Sequence, residues 1–131
     1  MSDYQRIKQT KYILGQTVYN KTLWRIRDYN RIKDVLDNLI QQSHEESELT
    51  SKTNKVSDPI LNSALRREKY LEELKIIDRC LDRIPEEYRK GVWNNIMYRE
   101  PYPLYADRTT YGRWKSKFIY DVAMEFEKGA I

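Results

Sequence analysis

The stretch that decides the fold runs from Leu81 to Phe126 and reads LDRIPEEYRKGVWNNIMYREPYPLYADRTTYGRWKSKFIYDVAMEF. Pro85 and the two acids after it suit the first turn of a helix, because proline loses no hydrogen bond there and acids favour the positive end of the helix dipole. The Pro-x-Pro segment 101–103 cannot continue that helix. Asp107 or Thr109 can then cap a further helix. The sequence therefore predicts two helices joined by a sharp proline-rich bend.

Apolar residues recur at three- and four-residue steps through both of these helices, which indicates one buried face on each. The expected core residues are Tyr88, Val92, Trp93, Ile96 and Met97 in the first helix and Tyr111, Phe118, Ile119, Val122, Ala123 and Phe126 in the second. The opposite face of the second helix carries Thr109, Thr110, Arg113, Lys117 and Tyr120, with Trp114 on its flank and Arg108 just before it. That face is polar and basic.

A further helix is predicted upstream, because Ser57, Asp58 and Pro59 form a strong start signal. It should run to about Arg83. The residues expected on its buried side are Leu61, Ala64, Leu65, Leu71, Leu74, Ile77, Leu81 and Ile84. The single cysteine, Cys80, lies among these apolar residues, and we interpret it as a small core side chain rather than a reactive thiol.

The N-terminal part is predicted to form one amphipathic helix, because apolar residues recur at helical spacing from Lys21 to Ile40. Its seven-residue rhythm allows pairing with another helix, in this chain or in a second copy. That rhythm is carried by Tyr29, Ile32, Leu36 and Leu39. Gln41–Val56 is polar without an apolar period, which predicts a linker or a fraying helix end. The predicted segments are therefore 1–42, a linker at 43–56, and a helical domain at 57–131.

The composition also favours a helical fold. Of the 131 residues, 34% are charged and 40% apolar, and glycine and proline occur only four times each. We therefore predict an all-α protein, with a long N-terminal amphipathic helix followed by a small helical bundle. The polar N-terminus lacks a signal-peptide core and no run of eighteen apolar residues occurs, so we expect a cytoplasmic protein that does not enter a membrane.

Positive charge is concentrated in two segments. Residues 5–33 contain eight Lys or Arg and one acid, whereas residues 108–117 contain four Lys or Arg and no acid. Two separated basic segments are typical of a protein that touches a polyanion in two places. For the first segment, an ordinary solvated helix face is the alternative.

The residue set does not indicate catalysis. The only histidine, His44, lies in the polar linker without partners at metal-ligand spacing, and there is no glycine-rich phosphate loop and no Cys/His cluster. The acid pairs Glu72–Glu73 and Glu86–Glu87 are adjacent on helices, where such pairs are usually solvated or at a helix start. We expect neither an enzyme, nor a cofactor, nor a bound metal.

Two short segments carry a family resemblance. LDRIPEEYR at 81–89 resembles the opening of region four of bacterial sigma factors, which typically reads Leu-x-x-Leu-Pro-x-x-x-Arg, and TYGRWK at 110–115 looks like the recognition helix of that region. Together with VSDP at 56–59 before a long helix, the arrangement is similar to phage transcriptional activators of the RinA and ArpU type. The resemblance covers Val56–Phe126.

The resemblance implies a phage or prophage regulator that binds promoter or operator DNA, activates late genes and contacts RNA polymerase or a second copy through its N-terminal helix. It implies base reading by Thr110, Arg113 and Trp114; the full set of expected DNA-binding residues is Arg108, Thr109, Thr110, Arg113, Trp114 and Lys117. Because Pro101–Ala106 is shorter than the family's supporting helix of about eight residues, we expect an abbreviated helix-turn-helix, with Ala106 as the remnant of its small residue.

Two other functions compete with this prediction. The first is a DNA-packaging adaptor resembling a terminase small subunit, although its DNA-binding head would then follow rather than precede the oligomerising segment. The second is a helical module that binds only protein. In such a module the basic amphipathic helix would be an ordinary surface helix.

Overall fold

The computed structural model describes Gln5 and residues 12–50, 58–104 and 107–129, with side chains at Gln5 and over 12–41, 62–104 and 107–128. These residues form helices without any strand, which confirms the predicted all-α fold. The helices are α1 (Gln16–Arg27), α2 (Tyr29–Thr50), α3 (Asp58–Asp82), α4 (Glu86–Tyr98) and α5 (Arg108–Gly129). Within this described part, no helix combines the length and the apolarity needed to cross a membrane.

The chain divides into two compact units. In the first unit, which takes residues up to Asp28 and from Ile76 onward, α1, α4 and α5 pack on one another as a small bundle. The end of α3 and the turn after it complete the core. The buried apolar residues are Leu14, Tyr19, Leu23 and Ile26; Ile76, Ile77, Cys80 and Ile84; Val92 and Ile96; and Tyr111, Phe118, Ile119, Val122 and Ala123.

The core faces predicted for α4 and α5 are largely confirmed. In α5 only Phe126 of the predicted stripe is half-buried, and in α4 the half-buried members are Tyr88, Trp93 and Met97. These half-buried side chains leave part of their surface at the edge of the bundle.

The second unit, Tyr29–Lys75, is built from α2 and most of α3. Ile32 and Leu36 of α2 are buried with Leu74 of α3, and Tyr29 and Tyr70 pack against them. The seven-residue rhythm of α2 is therefore used for pairing within the chain. The expected burial of Leu65 and Leu71 is wrong, since they are 55% and 40% exposed: a helix that packs against one neighbour can bury only one stripe. The side chain of Leu61, expected on the same side, lies outside the described residues.

The single helix predicted from Lys21 to Ile40 is also wrong, because α1 ends at Arg27 and α2 begins at Tyr29. Arg27 Nε donates a hydrogen bond to the carbonyl oxygen of Ile96 at 2.8 Å, which ties the end of α1 to α4. The buried residues of α1 belong to the first unit, whereas those of α2 belong to the second. An apolar period that continues through the break cannot reveal that it serves two cores.

The polar segment predicted as a linker at 43–56 is helical over its first part, because α2 continues to Thr50. Residues 51–57 lie outside the described residues, and α3 begins at Asp58 as the start signal predicts. The compact units also differ from the predicted segments 1–42 and 57–131. The reason is that α1 buries its apolar face against α4 and α5, while α2 pairs with α3.

An arginine holds the elbow between α3 and α4. Arg89 Nη2 donates to the carbonyl oxygens of Ile84 at 2.9 Å and Asp82 at 3.3 Å, and Arg89 Nε donates to Ile84 at 3.3 Å. Carbonyls at a helix end lack helical partners, so these bonds satisfy them. The spacing from Pro85 to Arg89, which carries the resemblance, therefore has a structural role in this chain.

We expect Arg89→Ala to lower the free energy of unfolding by ~1 to 2 kcal/mol, because the charge-assisted bonds to the elbow carbonyls are lost. Urea denaturation followed by circular dichroism measures this. Lys90→Ala is the matched control, since Lys90 is exposed and next in sequence. Equal stability of the two variants would contradict the role of Arg89.

Candidate nucleic-acid interface

The N-terminus of α5 is capped by Asp107. Its Oδ1 accepts hydrogen bonds from the backbone N–H of Thr109 at 2.9 Å and of Thr110 at 3.4 Å, and its Oδ2 accepts from Thr110 Oγ1 at 2.9 Å. The bond from Thr110 Oγ1 and those from the two backbone N–H groups hold the pKa of Asp107 below its ordinary value. Of the two predicted caps, Asp107 is therefore the one used, and it fixes the first turn that carries the expected DNA-binding residues.

Because the folded-state pKa of Asp107 is lowered, its carboxylate stabilises the fold above the unfolded pKa of about 3.9. That contribution disappears as the pH falls through the lowered folded value. We therefore expect Asp107→Ala to destabilise the protein at neutral pH, with a deficit that shrinks in acid. Denaturation at a series of pH values measures it. Asp107→Asn keeps a capping oxygen without titrating in this range, so its stability relative to Asp107→Ala should depend little on pH.

Three tyrosine rings fix α5 against α4 and the connection between them. The buried ring of Tyr111 stacks on Tyr102 with centroids 4.8 Å apart and meets Tyr88 edge-on at 5.1 Å. Gly91 of α4 is a further close neighbour, where an added Cβ would lie only 2.5 Å from Tyr111 Cε1. Gly91 therefore permits the close approach of the ring, and the ring orients the first turns of α5.

We expect Gly91→Ala to lower the free energy of unfolding by about 1 to 2 kcal/mol, because overpacking against Tyr111 outweighs the better helix propensity of alanine. Chemical denaturation of the single and double variants measures it. In a Tyr111→Leu background, which lacks the Cε1 atom, the penalty should shrink or change sign. An unchanged penalty there would show that the contact with Tyr111 is not its cause.

The connection from α4 to α5 has no helix among its described residues, 99–104 and Asp107, and these residues form an irregular bend. Ala106 lies outside the described residues. Arg99 ends α4 in the left-handed conformation with φ 55°. Buried Asn95 donates from Nδ2 to the carbonyl oxygen of Glu100 at 2.8 Å and accepts from Lys115 Nζ at 2.8 Å. One amide thus joins the bend to α5.

The expected DNA-binding residues are not equally accessible. Arg108, Thr109 and Arg113 are exposed, whereas Thr110 and Trp114 are half-buried. Within the described residues, no ion pair joins Arg108 or Arg113 to a carboxylate. The first two turns of α5 therefore carry two exposed guanidinium groups and an exposed threonine. Arg108, which was expected just before the helix, is its first residue.

Lys117 and Tyr120 differ from the outward placement predicted for them. Lys117 Nζ lies 2.7 Å from Asp121 Oδ2, and its side chain is 29% exposed. Tyr120 is half-buried, with its ring 5.4 Å from that of Tyr12. On this side of α5 the third and fourth turns are thus less exposed than the first two turns.

Several basic side chains of the two basic segments make contacts within the fold instead of facing a polyanion. The Arg25 guanidinium lies over the Phe126 ring at 4.3 Å, and Arg27 binds the end of α4. Lys115, one of the four basic residues of 108–117, bonds Asn95. Of the other basic residues in 5–33, Lys21, Arg31 and Lys33 are exposed, and Arg6, Lys8 and Lys11 lie outside the described residues.

Sequence reasoning did not single out Asn95 or the inward direction of Lys115. The sequence does contain a signal for Asn95, which lies between the apolar residues Val92 and Ile96. An amide on a buried face needs a polar partner.

The thiol is part of the core, and the described acidic residues are not gathered into a metal-binding group. Cys80 is fully buried, and burial raises its pKa to about 11, so the core interpretation of this residue is confirmed. Among the described residues, no group of three or more His, Cys, Asp or Glu side chains is placed to hold a metal ion. The side chain of His44 lies outside the described residues.

Comparisons of the chain with protein-family models, with curated proteins and with solved structures find no match. The resemblance to sigma region four accordingly rests on the residues at 81–89 and 110–115 themselves.

Proposed function

We propose that the protein binds double-stranded DNA through the first two turns of α5 and acts as a sequence-specific transcriptional regulator of the phage RinA/ArpU kind. The observation that carries this proposal is the pair of exposed guanidinium groups, Arg108 and Arg113, at the start of a helix whose opposite face is firmly buried. A helix presented in this way fits the major groove, and its N-terminal residues reach the base edges.

Each exposed residue has a chemical task in this proposal. Arg113 can donate two hydrogen bonds to O6 and N7 of guanine, whereas Arg108 and Thr109 are placed for phosphate contacts. Thr110 is bonded to the cap and Trp114 is half-buried, so both support the interface more than they reach into a groove.

The rigid mounting of α5 favours base reading over loose electrostatic attraction. Discrimination between bases requires an arginine fork held in a defined place, since a good bidentate contact contributes roughly 1 to 3 kcal/mol of discrimination. Tyr111 and the Asn95–Lys115 bond attach this helix to the bend and to α4, and the Asp107 cap fixes its first turn.

The wider role proposed for the protein rests on the sequence resemblance. In that role it is a cytoplasmic regulator in the bacterial host that binds a promoter or operator, activates late genes and contacts RNA polymerase or a second copy through its N-terminal helices. It has no catalytic activity. Light scattering with and without DNA distinguishes this regulator from a packaging adaptor, which assembles into rings.

We expect Arg113→Ala to weaken specific DNA binding by ~1 to 3 kcal/mol, roughly 5- to 150-fold in Kd, and to relax the preference at one base position. The probe is a fluorescent duplex selected by the wild-type protein from a random library, and anisotropy measures binding at fixed salt. Arg66→Ala, an equal loss of charge on α3, is the control and should leave specific binding nearly unchanged.

Three outcomes would contradict this proposal. If the wild-type protein selects no duplex and binds none even at low salt, the protein is not a DNA-binding regulator. If Arg113→Ala and Arg66→Ala weaken binding equally, net charge rather than the start of α5 is responsible. If Arg113→Ala weakens binding to all duplexes alike, Arg113 contacts a phosphate and not a base.

A further inference from the structure

Asp121 lies on the side of α5 that continues from the proposed interface, and it holds the next cation along that side. Arg113, Lys117 and Asp121 follow one another at four-residue steps, so they lie on one stripe of the helix. The Lys117 ammonium is 2.7 Å from Asp121 Oδ2, and the side chains of the two residues are 29% and 14% exposed. Lys117 is therefore at the edge of the interface with its charge already paired.

A second cation reaches the same carboxylate. Arg83 Nη1, from the turn after α3, lies 3.6 Å from Asp121 Oδ2, and Arg83 Nη2 lies 3.3 Å from Glu125 Oε1. If Lys117 leaves, Arg83 still lies beside Asp121, so the partly buried carboxylate is not left without an opposite charge. The cost of turning Lys117 toward another anion is correspondingly small.

We propose that Asp121 is an internal competitor for DNA: it holds Lys117 in the absence of DNA and releases it to a backbone phosphate when α5 enters the groove. This inference rests on the proposed function. Asp121 therefore lowers the affinity for DNA, because Lys117 can contact a phosphate only after its ion pair with Asp121 has broken.

Asp121→Asn tests this directly. The amide no longer attracts Lys117 as a carboxylate does, so the variant should bind the selected duplex several-fold more tightly at low salt. Lys117 contacts one phosphate in both complexes, so the dependence of log K on log salt should change by much less than the ~0.9 that one phosphate contact contributes. Glu125→Gln is the matched control, because it removes one negative charge a turn later on α5 from a carboxylate that pairs with Arg79 and Arg83.

Asp121→Asn in a Lys117→Gln background tests whether its effect depends on the ion pair between these two residues. There Asp121→Asn should change neither affinity nor salt slope beyond the effect of Glu125→Gln, and thermal unfolding of each variant verifies that the bundle is intact. A variant that unfolds is replaced by Asp121→Ser, compared in the same two backgrounds.

The results separate the two proposals. If the wild-type protein binds DNA but Asp121→Asn acts equally with and without Lys117, or no more strongly than Glu125→Gln, Asp121 contributes only general charge and the competition is overturned. If the wild-type protein binds no duplex, the proposed function fails and the competition fails with it.

Discussion

The contact between the Tyr111 ring and Gly91 is the constraint on which the rest of the first unit depends. A Cβ at residue 91 would lie 2.5 Å from the ring, so this approach of α5 to α4 exists only because glycine is present. Tyr88 and Tyr102 then enclose the ring from two further sides. Because Tyr111 lies in the first turn of α5, its position sets the direction in which the neighbouring polar residues project.

The described residues of the bend between α4 and α5 form no helix, so side chains bind the backbone groups that a helix would otherwise satisfy. Asn95 satisfies the Glu100 carbonyl and is itself satisfied by Lys115, while Asp107 satisfies the first N–H groups of α5. A basic residue in this sequence is therefore not automatically a polyanion contact. Arg27, Lys115 and Arg89 all serve backbone or amide oxygens within the bundle.

Local signals in the sequence predicted much of the fold. Proline and capping residues marked the starts of α3, α4 and α5, and helical spacing identified the buried stripe of α5 with the exposed Arg113 opposite it. The break at Asp28 was not predictable, because apolar residues keep one period through it while serving two cores. The pairing of Lys117 with Asp121 was also missed, although their four-residue spacing on one helix is an ordinary signal for such an ion pair.

The Asp107 cap restricts the orientations in which the proposed interface can bind DNA. An uncapped helix start can bind a phosphate through its N–H groups, but the carboxylate already accepts from Thr109 and Thr110 and carries a negative charge there. Phosphate contacts must then come from side chains around the cap, above all Arg108. In the proposed complex the DNA backbone repels this terminus, so the terminus would lie over the open groove, where Arg113 would reach the bases. An acidic cap thus favours groove entry over backbone docking.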